Sequence, residues 1–166
     1  MGIREQELKR VEKYAQGLGI KVSYKKFKKG GDQAAWTVDG SEIELFLRNQ
    51  HSKTQIILDL IHELGHHMHW VYNNRKIPIK LDIALGKKNP TKKQRQSIYQ
   101  DEVNGAQYHL VIFKELGLKI PEWKVMLERD LQLWIYKKFY ITGKWPSKQS
   151  KRLMKKELTL KYKGVL

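Results

Sequence analysis

The chain has 166 residues, 40 % of them hydrophobic, and 33 Lys and Arg against 17 Asp and Glu give a formal net charge of +16. That length suits one domain with a sizeable core, and the apolar share is that of a folded globule rather than a disordered chain. With no cysteine there is neither a disulfide framework nor a thiolate metal site, and no apolar run reaches the roughly 20 residues of a membrane span.

In chain order, Leu8, Val11, Ala15 and Leu18 recur at helical spacing from Gly2 to about Gly17, with Gly17 and Gly19 as a stop. Ile20 to Tyr24 alternates like a strand, and Lys29-Gly30-Gly31-Asp32 reads as a turn. Ala34–Val38 and Glu42–Arg48 read as two further strands joined through Asp39-Gly40, with Ile43, Leu45 and Leu47 on one face of the second. Ser52 with Gln55 makes a capping-box pattern. It opens a central helix whose apolar stripe is Ile57, Leu60, Ile61, Leu64, Met68 and Val71. Arg75 to Pro90 is basic and interrupted by Pro78, Gly86 and Pro90, a long connection with a short strand at Ile77–Leu81. Thr91 with Gln94 starts a helix predicted to run to about Leu116 and stop at Gly117. Pro121 opens a third major helix carrying Trp123, Leu127, Leu131, Trp134 and Ile135 to Thr142-Gly143. Ser147 then begins a short basic helix leading into the tail Lys161–Leu166.

The predicted class is α+β: an N-terminal helix, a small three- or four-stranded sheet, a central helix, then C-terminal helices. Residues 1–145 form the main domain, and 146–166 are a basic helix and tail of the same domain.

The central helix contains His62-Glu63-Leu64-Gly65-His66, an HExxH motif. Histidines four apart lie one turn apart on one helical face, so both imidazoles reach a single ion. They point away from the apolar stripe, toward a cleft. Glu63 then stands beside the open metal position, placed to take a proton from water. A catalytic zinc usually has three protein ligands. Glu102 is the candidate for the third, with neighbouring Asp101 as rival, and Gly105 and Ala106 would let their helix approach the HExxH helix closely. His69 lies ~10 Å along the axis from His62 at ~1.5 Å per residue, too far for an all-histidine site. It reads as a cleft-wall residue, and His67 as a packing residue. His109, Tyr99 and Tyr108 are candidates for supporting the ligands or an oxyanion.

On these residues the chain resembles the ImmA/IrrE-type zinc metallopeptidases of the gluzincin group. The resemblance is carried by Gly19-Ile20-Lys21-Val22, by Ile43-Glu44-Leu45-Phe46-Leu47 and by Leu60–His66, and it covers roughly residues 3 to 117. Glu102, Gly105 and Tyr108 match the family's later pattern of a ligand Glu, a small residue three on and an aromatic six on. The resemblance implies a zincin-like fold, bound Zn2+ and a cytoplasmic peptidase acting on a protein partner, often a transcriptional regulator. Strand Glu42–Arg48 is expected to offer an open edge for an extended substrate. Two alternatives use the high positive charge, which favours nucleic acid. One is a DNA-associated SprT-like protease, which Pro121-Glu122-Trp123-Lys124 resembles. The other is a nonenzymatic nucleic-acid-binding module with structural histidines. Lack of an apolar leader and of cysteine makes the cytoplasm the expected location, with no membrane partner.

Overall fold

The computed structural model describes residues 2–26, 34–36, 40–47, 52–75 and 89–164. In chain order these form α1 (Ile3–Gly17), β1 (Lys21–Lys26), β2 (Ala34–Trp36), β3 (Glu42–Leu47), α2 (Lys53–Tyr72), α3 (Lys92–Ala106), α4 (His109–Glu115), α5 (Glu122–Thr142) and α6 (Lys148–Tyr162). The molecule is mostly helical with one small sheet, an α+β arrangement. The expected turn at Lys29–Asp32 and strand at Ile77–Leu81 fall outside the described residues.

Helix α1 ends where its glycines predict. Gly19 has φ +77, and its N–H donates to the Gln16 carbonyl while that of Ile20 donates to the Ala15 carbonyl. This closure needs a left-handed residue, which glycine adopts without a Cβ penalty, and it turns the chain directly into β1. The sheet order is β1-β3-β2, with β3 parallel to β1 and antiparallel to β2. Strand β3 is therefore central, which corrects its expected role as an open edge. Its Ile43 and Leu45 are fully buried, whereas β1 at the edge has no fully buried residue. Among the described strands the edges belong to β1 and β2.

The core lies where α1, β3, α2 and α4 meet. Val11, Ala15, Ile43, Ile57, Leu60, Leu64 and Ile112 are excluded from solvent there. The predicted stripe of α2 is buried through Leu64, but Val71 at its end is 41 % exposed. Ser52 caps α2 by accepting from the Gln55 N–H at 3.2 Å. The Gln55 side chain turns instead to Asp59 at 2.9 Å, so only half of the capping box forms. At α3 both halves form: Thr91 Oγ1 accepts from the Gln94 N–H, and the Gln94 side chain accepts from the Thr91 N–H.

The helix predicted from Thr91 to Leu116 is in fact two. It breaks after Ala106, where the Tyr108 N–H donates to the Gly105 carbonyl at 3.1 Å in a tight turn, and α4 starts at His109. The break lets α4 fold against α2 instead of continuing past it. Buried Glu7 of α1 accepts from the Lys119 N–H and pairs with Arg4, so its charge is satisfied. Leu127, Leu131, Ile135 and Phe139 form the buried side of α5, which ends at Gly143 with φ +70. Helix α6 lies along α5, held by Lys155–Glu128 and Tyr162–Asp130. It reaches Tyr162, further into the basic tail than its sequence suggested.

Candidate metal centre

Two glycines set the distance between α2 and α3. A Cβ on Gly65 would meet the Gly105 carbonyl oxygen at 2.6 Å, and one on Gly105 would meet His66 Nδ1 at 3.0 Å. Only hydrogen at both positions permits such an approach, and it carries Glu102 of α3 up to the histidines of α2.

His62 Nε2 and His66 Nε2 are 3.3 Å apart. Glu102 Oε2 lies 3.6 Å from His62 Nε2, and Glu102 Oε1 lies 3.7 Å from His66 Nε2. A tetrahedral zinc with bonds of ~2.0–2.1 Å holds its ligand atoms about 3.3–3.4 Å apart, so the three groups converge to within a few tenths of an ångström of that geometry. His62, His66 and Glu102 together can hold a metal ion. Glu63 sits beside them, its Oε1 4.0 Å from His62 Nε2.

Asp101 takes a different place. Its Oδ2 is 3.1 Å from His66 Nδ1, on the far side of that ring from the cluster. A carboxylate there fixes the ring with Nδ1 as donor and leaves Nε2 free for an ion. Glu102 and Asp101 therefore divide two tasks between adjacent positions on α3.

The histidine side chains are 16 % and 11 % exposed and Glu102 only 8 %. The face predicted to look into a cleft is thus a packed seam, because α3 and α4 cover it. Glu102 Oε2 and His62 Nδ1 are buried without a hydrogen-bond partner among the described residues. A buried carboxylate oxygen lacking a donor is costly by itself, and a cation between it and two imidazoles removes that cost. The donor set of two imidazoles and a carboxylate fits zinc.

Burial pushes the His62 imidazole down to about 3 despite the pull of Glu102, so its ring is neutral and its lone pair available. Burial also opposes charge on His66, but Glu102 and Asp101 outweigh it and lift this ring well above its ordinary range. Burial would raise Glu102, yet His66 and His62 hold it below the usual carboxylate range. Without an ion, then, His66 and Glu102 form a buried charge pair, and a metal must displace the His66 proton.

The chain matches no protein-family profile, no curated protein and no solved structure.

Of the other candidates, His109 comes closest. It is buried at 4 % exposure, its ring stands edge-on to His62 at 5.2 Å between centroids, and its Nε2 has no partner among the described residues. Burial, with the charge of His66 second, pushes it down to about 3. His69 is outside the triad, its Nε2 3.2 Å from Asn104 Nδ2. His67 is buried and packs on Trp70. Tyr99 stacks on Tyr140, and Tyr108 stacks on Tyr72. Sequence reasoning passed over Gly65 as a spacing residue.

Proposed function

We propose that this protein is a zinc-dependent metallopeptidase of zincin-like fold, acting on a protein or peptide substrate. The convergence of His62, His66 and Glu102 on one point, with Glu63 at its side, is the observation that carries the reading. His62, His66 and Glu102 would hold the zinc, which when bound would supply Lewis-acid polarisation of a carbonyl oxygen and a water whose pKa is lowered from ~15.7 toward ~7. Glu63 accepts the proton of the attacking water and returns it to the leaving amine. Asp101 keeps the His66 ring oriented. A substrate joining the sheet as a strand would use β2, the edge strand that packs against α2. A transcriptional regulator as substrate rests on the resemblance to ImmA/IrrE-type peptidases alone. The cysteine-free composition supports a cytoplasmic setting, and among the described residues no helix is long and apolar enough to cross a membrane.

A nucleic-acid partner is the second reading, favoured by the α6 region. Between residues 144 and 163 the chain has eight Lys and Arg against one Glu, and seven of the eight are exposed. The SprT-like form of this reading needs a third histidine ligand, whereas Glu102 stands in that position here. Steeply salt-dependent DNA binding without any metal-dependent proteolysis would favour a nonenzymatic module.

Elemental analysis paired with Glu63→Gln tests the primary reading. Wild-type protein should contain about one zinc per chain and cut peptides, and Glu63→Gln should keep the zinc and lose hydrolysis. Residual cutting by Glu63→Gln at the wild-type rate, or wild-type protein unable to bind zinc, refutes the proposal.

A further inference from the structure

Helix α6 carries a continuous cationic face. At ~100° per residue, Lys148, Arg152 and Lys156 fall within an arc of about 80° and step along the axis by about 6 Å each. All three are exposed. Glu157, the one acidic residue of the helix, points ~100° or more away from each of them. Glu128 and Asp130 on neighbouring α5 are taken by Lys155 and by Arg129 and Tyr162. Lys148, Arg152 and Lys156 therefore have no carboxylate partner among the described residues.

Trp145 stands at the head of this row, three residues before Lys148 and 52 % exposed. It stacks on Phe139 with ring centroids 4.0 Å apart and planes 1° from parallel, and Tyr136 holds it in an edge contact. With one face covered and about half of its surface in solvent, the indole offers its other face as a fixed platform. Lys144 adjoins it. Arg95 donates to the Tyr140 carbonyl at 3.2 Å and lies against Gly143, which brings the first turn of α3, with exposed Lys92 and Lys93, beside the same turn.

Cations at regular steps from an exposed aromatic ring match a chain of phosphates that carries free bases. The bases of a duplex are stacked on one another and reach such a ring only after costly unstacking, whereas those of a single strand are available. A lipid surface fits less well, because it needs an apolar face to bury and Leu153 alone among the apolar side chains of α6 is exposed.

We propose that this face of α6, together with Trp145, docks single-stranded nucleic acid, the indole stacking on a base while Lys144, Lys148, Arg152 and Lys156 neutralise successive phosphates. This deepens the nucleic-acid reading above and rests on it. It asks nothing of the metal centre, since Glu102 lies ten residues, about 15 Å, further along α3 than Lys92.

A fluorescein-labelled oligothymidylate of about 12 nucleotides, titrated with the full chain and followed by anisotropy, tests it against a labelled duplex of equal length. The single strand should bind several-fold more tightly than the duplex. Its log K should fall against log salt with a slope of about −3, at ~0.7 for each neutralised phosphate. Changing Lys148→Gln, Arg152→Gln and Lys156→Gln together should weaken binding at least about tenfold and bring the slope to about −1. Changing Lys9→Gln, Lys13→Gln and Lys119→Gln together alters net charge equally but should leave affinity within about twofold. Trp145→Ala should weaken binding about tenfold with the slope unchanged. Equal weakening in the two triple variants, or Trp145→Ala at wild-type affinity, overturns the surface. So does competition by polyglutamate or phosphatidylserine vesicles as effective, charge for charge, as unlabelled oligothymidylate. Duplex bound as tightly as single strand refutes the single-strand assignment and keeps the nucleic-acid reading, whereas no binding of either at low salt refutes both.

Discussion

Replacing Gly65 with alanine probes the seam on which the metal centre depends. On an exposed helix this change stabilises by about 1 kcal/mol, because alanine is the better helix former. Here the new Cβ would lie 2.6 Å from the Gly105 carbonyl oxygen and 3.0 Å from His109 Cδ2. Ordinary contact starts near 3.4 Å, so α2 and α3 must separate by about 0.8 Å, and a backbone carbonyl cannot rotate out of the way. Overpacking of this kind costs about 1–3 kcal/mol. Set against the propensity gain, the net loss is roughly 0–2 kcal/mol, a fall in Tm of up to about 8 °C for a chain of this size. The metal site should suffer selectively. His62 and His66 share α2 and keep their 3.3 Å separation, while the 3.6 and 3.7 Å gaps to Glu102 widen to roughly 4.4 Å, beyond the span of one tetrahedral ion. Zinc affinity should therefore fall on the order of 10–100-fold. Thermal unfolding with and without zinc, and chelator competition for affinity, measure both effects. A Gly65→Ala protein with raised Tm and unchanged zinc affinity would show that the two helices do not meet as described.

The two acidic neighbours on α3 should separate cleanly. Glu102→Ala removes a ligand and should abolish tight zinc binding, whereas Asp101→Asn disturbs only the support of His66 and should weaken binding about 10–100-fold; equal effects in chelator competition would contradict the division of roles. Acid should destabilise the metal-free protein. His62 and His109 have folded pKa values near 3, below the ordinary 6.5, so the unfolded chain takes up their protons first and stability falls as pH drops below 6.5. Asp59, raised to about 7 from 3.8, opposes this by one proton across most of the same window. His67, lowered as well, adds to the two histidines, so the balance is a loss of stability from pH 6.5 toward 4, readable by denaturant titration at several pH values. Above 6.5 the raised His66 acts in the other sense: its stabilising charge is lost as pH climbs through its folded pKa, so the histidine contribution should peak near pH 6.5. A curve rising steadily into acid would refute these placements. Zinc loading at neutral pH should also release about one proton, from His66, which calorimetry in buffers of different ionisation enthalpy detects.

Local chemistry made much of this molecule legible without coordinates. The α1 stop at Gly19, the caps at Ser52 and Thr91, the Pro121 start and the Gly143 end all depend on residues within a few positions of one another. So does the placing of His62 and His66 on one helical face, with Glu63 next to the first, because a helix fixes its i, i+4 neighbours whatever surrounds it. Longer-range choices were not available from periodicity. Whether β3 sits at the centre or edge of the sheet depends on which strands pair with it, and the apolar alternation of Ile43 and Leu45 fits either place. The break at Gln107-Tyr108 is invisible in a pattern that continues helical on both sides. Asp101 and Glu102 are adjacent, chemically alike and equally helical, and only the approach of α2 across Gly65 and Gly105 gives one the ion-facing side and the other the Nδ1 of His66. Sequence alone determined the pair of imidazoles and the Glu63 carboxylate next to them, since these lie within one turn of a single helix. Tertiary packing decided which carboxylate joins the two imidazoles and the burial that keeps His62 neutral, because each requires surfaces that meet only when distant helices close on one another.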